Sequence, residues 1–148
     1  MKIIDRKKQI FKTSLGEYIA PEKLENVYRR SLFIEQICVH GDSLKSNVVA
    51  IIVPDEEYLM QWASQRNLAE DFKTLCQNKD LIKMILEDMT RFGVEEGLKS
   101  FEQVKAIHLS SELFSVENEC LTPTQKLVRH KIVKKFREEI DQMYASLP

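Results

Sequence analysis

Two apolar, β-branched runs, Ile34 to Val39 and Asn47 to Val53, flank His40-Gly41-Asp42-Ser43, and no other feature narrows the available folds as much. Branched aliphatic side chains suit a pleated surface, and the Gly-Asp-Ser cluster supplies turn chemistry, so the runs are expected to pair as adjacent antiparallel strands. Pro54 stops the second run. Tyr58, Leu59 and Trp62 at helical spacing then begin a helix that Arg66-Asn67 ends, and a short helix around Phe72 to Cys76 follows. From Asp80, the set Leu81, Ile82, Ile85, Leu86, Met89 and Phe92 forms one wide face of an amphipathic helix, closed by Gly93 or Gly97. Val104 to Leu109 is a further strand, and a last helix from about Val128 to Tyr144 turns Ile132, Val133, Phe136, Ile140 and Met143 inward.

Upstream of the hairpin, Lys2 to Asp5 and Ile10 to Lys12 read as two short strands joined by a basic turn, and Leu15-Gly16-Glu17 as a loop. Pro21 and Glu22 open a helix, because proline has no N–H to waste in a first turn and an acid suits the positive end of the helix dipole. Leu24, Val27 and Tyr28 mark its buried face. A few strands with helices of unequal length among them predict an α+β domain, a small sheet covered by helices. The 148 residues leave no room for two cores, and 43% hydrophobic with 30% charged residues is close to a folded average.

The formal net charge of -1 excludes a globally basic nucleic-acid binder, so charge must be read locally. Cys38, Cys76 and Cys120 are far apart and lack the spacing of a zinc site, which points to a reduced, intracellular chain. His40, His108 and His130 have no metal-ligand spacing, and the glycine motifs of hydrolases, P-loops and dinucleotide-binding folds are absent from the sequence. Two segments are basic: Lys2 to Lys12, with Lys2, Arg6, Lys7, Lys8 and Lys12, and Lys126 to Arg137, where six cations occur without an acid. Such a run is either a solvated helix face or a surface for a phosphate-rich ligand. Lys126 stands apart, because it ends the Leu121-Thr122-Pro123-Thr124-Gln125 loop, from which a flexible stem can carry its charge into another site.

The stretch Ile3-Ile4-Asp5-Arg6-Lys7-Lys8-Gln9-Ile10-Phe11-Lys12, followed by Gly16-Glu17-Tyr18-Ile19-Ala20-Pro21-Glu22-Lys23-Leu24-Glu25, resembles the hinge and post-hinge segment of long-chain fatty acid–CoA ligases, in the adenylate-forming superfamily. The resemblance continues through Val39-His40-Gly41-Asp42-Ser43, Val53-Pro54-Asp55, Ile85-Leu86-Glu87-Asp88-Met89, Phe101-Glu102-Gln103-Val104-Lys105 and Leu113-Phe114-Ser115 to Leu121-Thr122-Pro123-Thr124-Gln125-Lys126. It implies that residues 1–148 are the small mobile C-terminal lid domain, beginning at the hinge motif, with the large N-terminal ATP- and acyl-binding domain absent. It also implies a two-step reaction. A fatty acid carboxylate attacks the α-phosphate of Mg2+-bound ATP, and the CoA thiol then displaces AMP from the acyl-adenylate.

By this resemblance Lys126 is the adenylation lysine, Arg6 contacts the nucleotide near its ribose and phosphate, and Lys8 is the hinge, with Asp5 and Lys7 as alternative pivots. After rotation, the face carrying Lys12 and Gly16 would replace Lys126, and Gly16 would let the pantetheine of CoA pass the backbone. Where the broader superfamily has glycine before the lysine, this chain has Gln125. The partners implied are the N-terminal domain, ATP, fatty acid and CoA, and no nucleic acid. The parent is expected at the endoplasmic reticulum or mitochondrial outer membrane, the isolated domain to be soluble and inactive alone. The rival reading is a non-catalytic interaction module whose basic C-terminal helix binds acidic protein, anionic lipid or nucleic acid.

Overall fold

Strand Val48–Pro54 is buried along its whole length, and the fold is organised around it. In the computed structural model, which describes residues 11–12, 18–41, 48–68, 71–99 and 102–146, it is the middle strand of a three-stranded sheet. In chain order the elements are β1 (Phe11–Lys12), β2 (Tyr18–Ile19), α1 (Pro21–Tyr28), β3 (Ile34–Gly41), β4 (Val48–Pro54), α2 (Glu56–Gln65), α3 (Phe72–Leu75), α4 (Lys79–Glu95), β5 (Val104–Leu109), α5 (Arg129–Lys135) and α6 (Arg137–Ala145). The expected β3–β4 antiparallel pair forms, with Val39 opposite Ala50, and β5 adds in parallel on the far side of β4. Phe11–Lys12 pairs antiparallel with Tyr18–Ile19, a partner the sequence reading did not assign, while the Lys2 to Asp5 strand lies outside the described residues.

The continuous apolar run of β4 has a physical cause: both faces of the strand are covered. Val48, Ala50 and Ile52 join the cluster under α1, α2 and α4, whereas Val49, Ile51 and Val53 pack with Ile132, Phe136, Ile140 and Met143 of the last helices. Each fully buried Val or Ile contributes about 1.5–3 kcal/mol to folding. The α+β expectation of a small sheet between helices is met. No described helix is long and apolar enough to cross a membrane.

Two expectations change in detail. The sequence left Gly93 and Gly97 as alternatives for ending the long helix; Gly97, at φ +81 just past the C-cap Glu96, is the terminator. Gly93 lies inside α4, buried against Gln103. The last helix, expected as one piece, is bent into α5 and α6 at Phe136, whose φ of -107 and ψ of 22 leave the helical region. Its buried ring contacts Phe114 at 6.4 Å and His108 at 5.7 Å between centroids, so packing overrides local propensity at that residue.

Candidate active site

Lys126 leaves a tight hairpin. Leu121 and Leu127 form an antiparallel bridge, and the Thr122 N–H donates to the Lys126 carbonyl at 2.8 Å. The Gln125 N–H donates to the Thr122 carbonyl, also at 2.8 Å, which closes a β-turn with Pro123 in its second position. The residue after such a turn characteristically becomes a left-handed bulge, and Gln125 does so at φ 68. That is a conformation glycine adopts freely. Glutamine holds it at a cost on the order of 1 kcal/mol, so the departure at Gln125 changes the residue and keeps the loop geometry a glycine would give. The Thr122 hydroxyl stiffens the tip, accepting the Lys126 N–H at 3.1 Å and bonding the Thr124 hydroxyl at 3.0 Å.

The hairpin is held to the sheet at both ends. β3 is an edge strand of its sheet among the described residues, and side chains satisfy the outward backbone groups of its Val39. Upstream of the hairpin, the Gln36 amide donates to the Phe114 carbonyl at 3.1 Å and accepts the Phe114 N–H at 2.7 Å, as a neighbouring strand would. Downstream, both Arg129 terminal nitrogens donate to the Glu25 carboxylate, at 2.6 and 2.7 Å. Glu25 also accepts the Val39 N–H at 2.7 Å, and Arg129 donates to the Val39 carbonyl at 3.3 Å. Glu25 is only 1% exposed. A buried pair is tolerable when the geometry is bidentate and further hydrogen bonds reach both partners, as those of the Val39 N–H and carbonyl do here.

The electrostatics follow from that pair. Burial pulls the Arg129 guanidinium down, but the hydrogen bonds and charge of Glu25 outweigh it, leaving Arg129 above its ordinary value. Burial, helped by the Glu25 charge and opposed by Arg129, pushes the neighbouring Cys38 thiol up to about 12. Beside the pair lies a groove of about 680 Å³ lined by Glu22, Arg29, Glu35, Gln36, Lys126 and Arg129, among others. Lys126 is exposed at its rim and makes no ion pair among the described residues.

Most of the rest of the basic run is differently employed. Arg129 pairs with Glu25, Lys131 with Glu119 at 2.8 Å, Lys135 with Glu112 at 3.2 Å and Arg137 with Asp141 at 2.8 Å. Four of the six cations are thus paired, while exposed Lys134, like Lys126, makes no ion pair among the described residues. Among the described residues no His, Cys, Asp and Glu cluster could hold a metal ion.

Of the residues singled out by sequence, Lys126 is placed as above, and Lys12 lies in β1 opposite Tyr18. Arg6, Lys8 and Gly16, with Asp5 and Lys7 beside the hinge, lie outside the described residues. Glu25, Gln36 and Arg129 were missed as members of the site. A signal existed for two of them: Glu25 is three residues before buried Tyr28 and Arg129 three before buried Ile132, so helical spacing puts an acid and a base on inward faces.

No protein-family model matches the chain. Human long-chain-fatty-acid–CoA ligase 6 is 55% identical over 145 residues, covering 98% of this chain and 21% of that protein. The human ligase 1 is 54% identical over 147 residues, again covering 21% of its length. This chain is homologous to the C-terminal part of long-chain fatty acid–CoA ligases. It spans about a fifth of the length of these relatives. Among solved structures, the A domain of carboxylic acid reductase from Segniliparus rugosus, in complex with AMP and a co-purified carboxylic acid, is 28% identical with a TM-score of 0.80, over 97% of this chain and 21% of that one. The ligase homologue thus has the fold of the C-terminal domains of adenylate-forming enzymes.

Proposed function

We propose that this homologue serves as the mobile lid of an ATP-dependent, AMP-forming long-chain fatty acid–CoA ligase, and that Lys126 is its adenylation lysine. The observation that carries the reading is an exposed lysine without an ion-pair partner among the described residues, at the exit of a hairpin fixed to the sheet at both ends. A cation so presented offsets the charge that builds on the oxygens at the α-phosphorus while the carboxylate attacks, and fixed charges aimed at a transition state are worth about 10²–10³-fold in rate. In the second half-reaction the domain rotates about Lys8. The face bearing Lys12 and Gly16 then meets the CoA thiol and its pantetheine, while Arg6 stays with the nucleotide. ATP enters as its Mg2+ complex, and the parent works at the endoplasmic reticulum or mitochondrial outer membrane.

The test is a pair of half-reactions in the full-length ligase carrying this segment. Lys126→Ala is expected to lower fatty acid-dependent pyrophosphate release about 10²–10³-fold and to leave thioester formation from supplied acyl-adenylate and CoA nearly intact. Equal loss in both, or no loss in the first, refutes the assignment.

A further inference from the structure

Three side chains tie the Lys126 hairpin to β3 and α1, and each is engaged in hydrogen bonds beside the groove that Lys126 lines. Gln36 bonds both backbone groups of Phe114, twelve residues before Lys126. Arg129, three residues after it, is locked bidentate on Glu25, and the two together occupy the N–H and C=O of Val39. These anchors converge on β3 at residues 36 and 39, with Glu25 reaching Val39 from the adjacent helix α1. The segment between the anchors carries its own fixed geometry, from the Cys120 carbonyl accepting the Val128 N–H at 2.8 Å to the turn at Pro123. A segment pinned at both ends to one rigid element presents its tip in one orientation.

We propose that Gln36, Glu25 and Arg129 are positioning residues for Lys126, setting where the lysine stands when the lid closes for adenylation. The inference rests on the function proposed above. Arginine is required at 129 because only its planar fork can grip both Glu25 oxygens and still reach the Val39 carbonyl; lysine offers a point charge. Displacing a reacting group by about 1 Å can cost about 100-fold in rate, so small slippage of the hairpin is sufficient.

The test uses the full-length ligase carrying this segment, with Gln36→Ala and Arg129→Lys, and thermal melts to report folding. Gln36→Ala should lower kcat for pyrophosphate release by about 10- to 100-fold, with the KM for ATP little changed and thioester formation from supplied acyl-adenylate within about twofold. In a Lys126→Ala background the same substitution should have almost no further effect, because the residue it positions is gone. Parallel loss of both half-reactions, or a full effect of Gln36→Ala without Lys126, overturns the proposal. Should Arg129→Lys lose its fold, Gln36→Ala decides alone, since it removes two hydrogen bonds and no charge. If Lys126→Ala lowers pyrophosphate release while Gln36→Ala and Arg129→Lys leave it unchanged, the positioning role fails and the functional reading stands. If Lys126→Ala itself is silent, both fail.

Discussion

Gly93→Ala is a substitution that local propensity and packing judge oppositely. In the middle of a helix alanine is favoured over glycine by about 1 kcal/mol, so α4 alone predicts stabilisation. The structure reverses the sign. A Cβ on Gly93 would stand 2.5 Å from the Gln103 Oε1, 2.8 Å from its Nε2 and 2.9 Å from its Cδ. Gln103 is 7% exposed, and its Oε1 accepts the Tyr28 hydroxyl at 3.2 Å. The Tyr28 oxygen in turn accepts the Val104 N–H at 3.1 Å, so the amide cannot swing away without leaving a buried hydroxyl unpaired. Overpacking costs about 1–3 kcal/mol and an unsatisfied buried donor about 1–3 kcal/mol. Set against the propensity gain, the net expectation is destabilisation by about 1–2 kcal/mol. Urea unfolding followed by circular dichroism at 222 nm, roughly the helix band, reads it directly through the midpoint at constant slope. In a Gln103→Ala background the clash disappears, and the same substitution should stabilise by about 1 kcal/mol. A stabilising Gly93→Ala in the wild-type background, or no change of sign between backgrounds, would refute the packing argument.

Other expectations concern the hairpin and the titrating core. Gln125→Gly should lie within about 0.5 kcal/mol of the parent by denaturation, strain relief offsetting chain entropy, while Gln125→Val should lose about 1–2 kcal/mol at the left-handed position. Burial pushes the Cys38 thiol up to about 12 and the Cys76 thiol up to about 11, so both favour the fold in their neutral forms. That contribution is complete below pH 9.0, the ordinary thiol value, and is lost as pH rises from there through 11 and 12. Urea midpoints from pH 8 to roughly 11 should fall, and fall less in a Cys38→Ala, Cys76→Ala variant. Burial holds His108 below its ordinary value against the opposing charge of Glu139, so its contribution is present above pH 6.5 and lost on acidification. His108→Leu should flatten the acid limb of the same titration.

The hairpin β3–β4, helix α1 and the wide face of α4 were legible because each rests on local periodicity or turn chemistry. Three things were not. The parallel union of β4 with β5 depends on a crossover through three helices, which no local pattern encodes. The bend at Phe136 comes from its ring contacts with Phe114 and His108, set by tertiary packing. The Glu25–Arg129 pair joins residues 104 apart, and Arg129 looked like one more cation of a basic run. The loop that carries Lys126 was legible through its Leu-Thr-Pro-Thr-Gln-Lys turn chemistry, whereas the side chains that anchor it on α1 and β3 lie far away in sequence.

The reach of those anchors bears on the order of folding. The β3–β4 hairpin can close locally, but β5 must wait for roughly fifty residues of α2, α3 and α4 to come round, and closing a loop of that length is entropically costly. The Glu25–Arg129 pair needs a still longer closure, across α1, the whole sheet and the loop after β5. The segment presenting Lys126 should therefore lock late during folding, after the strand β3 that anchors it has taken its place in the sheet.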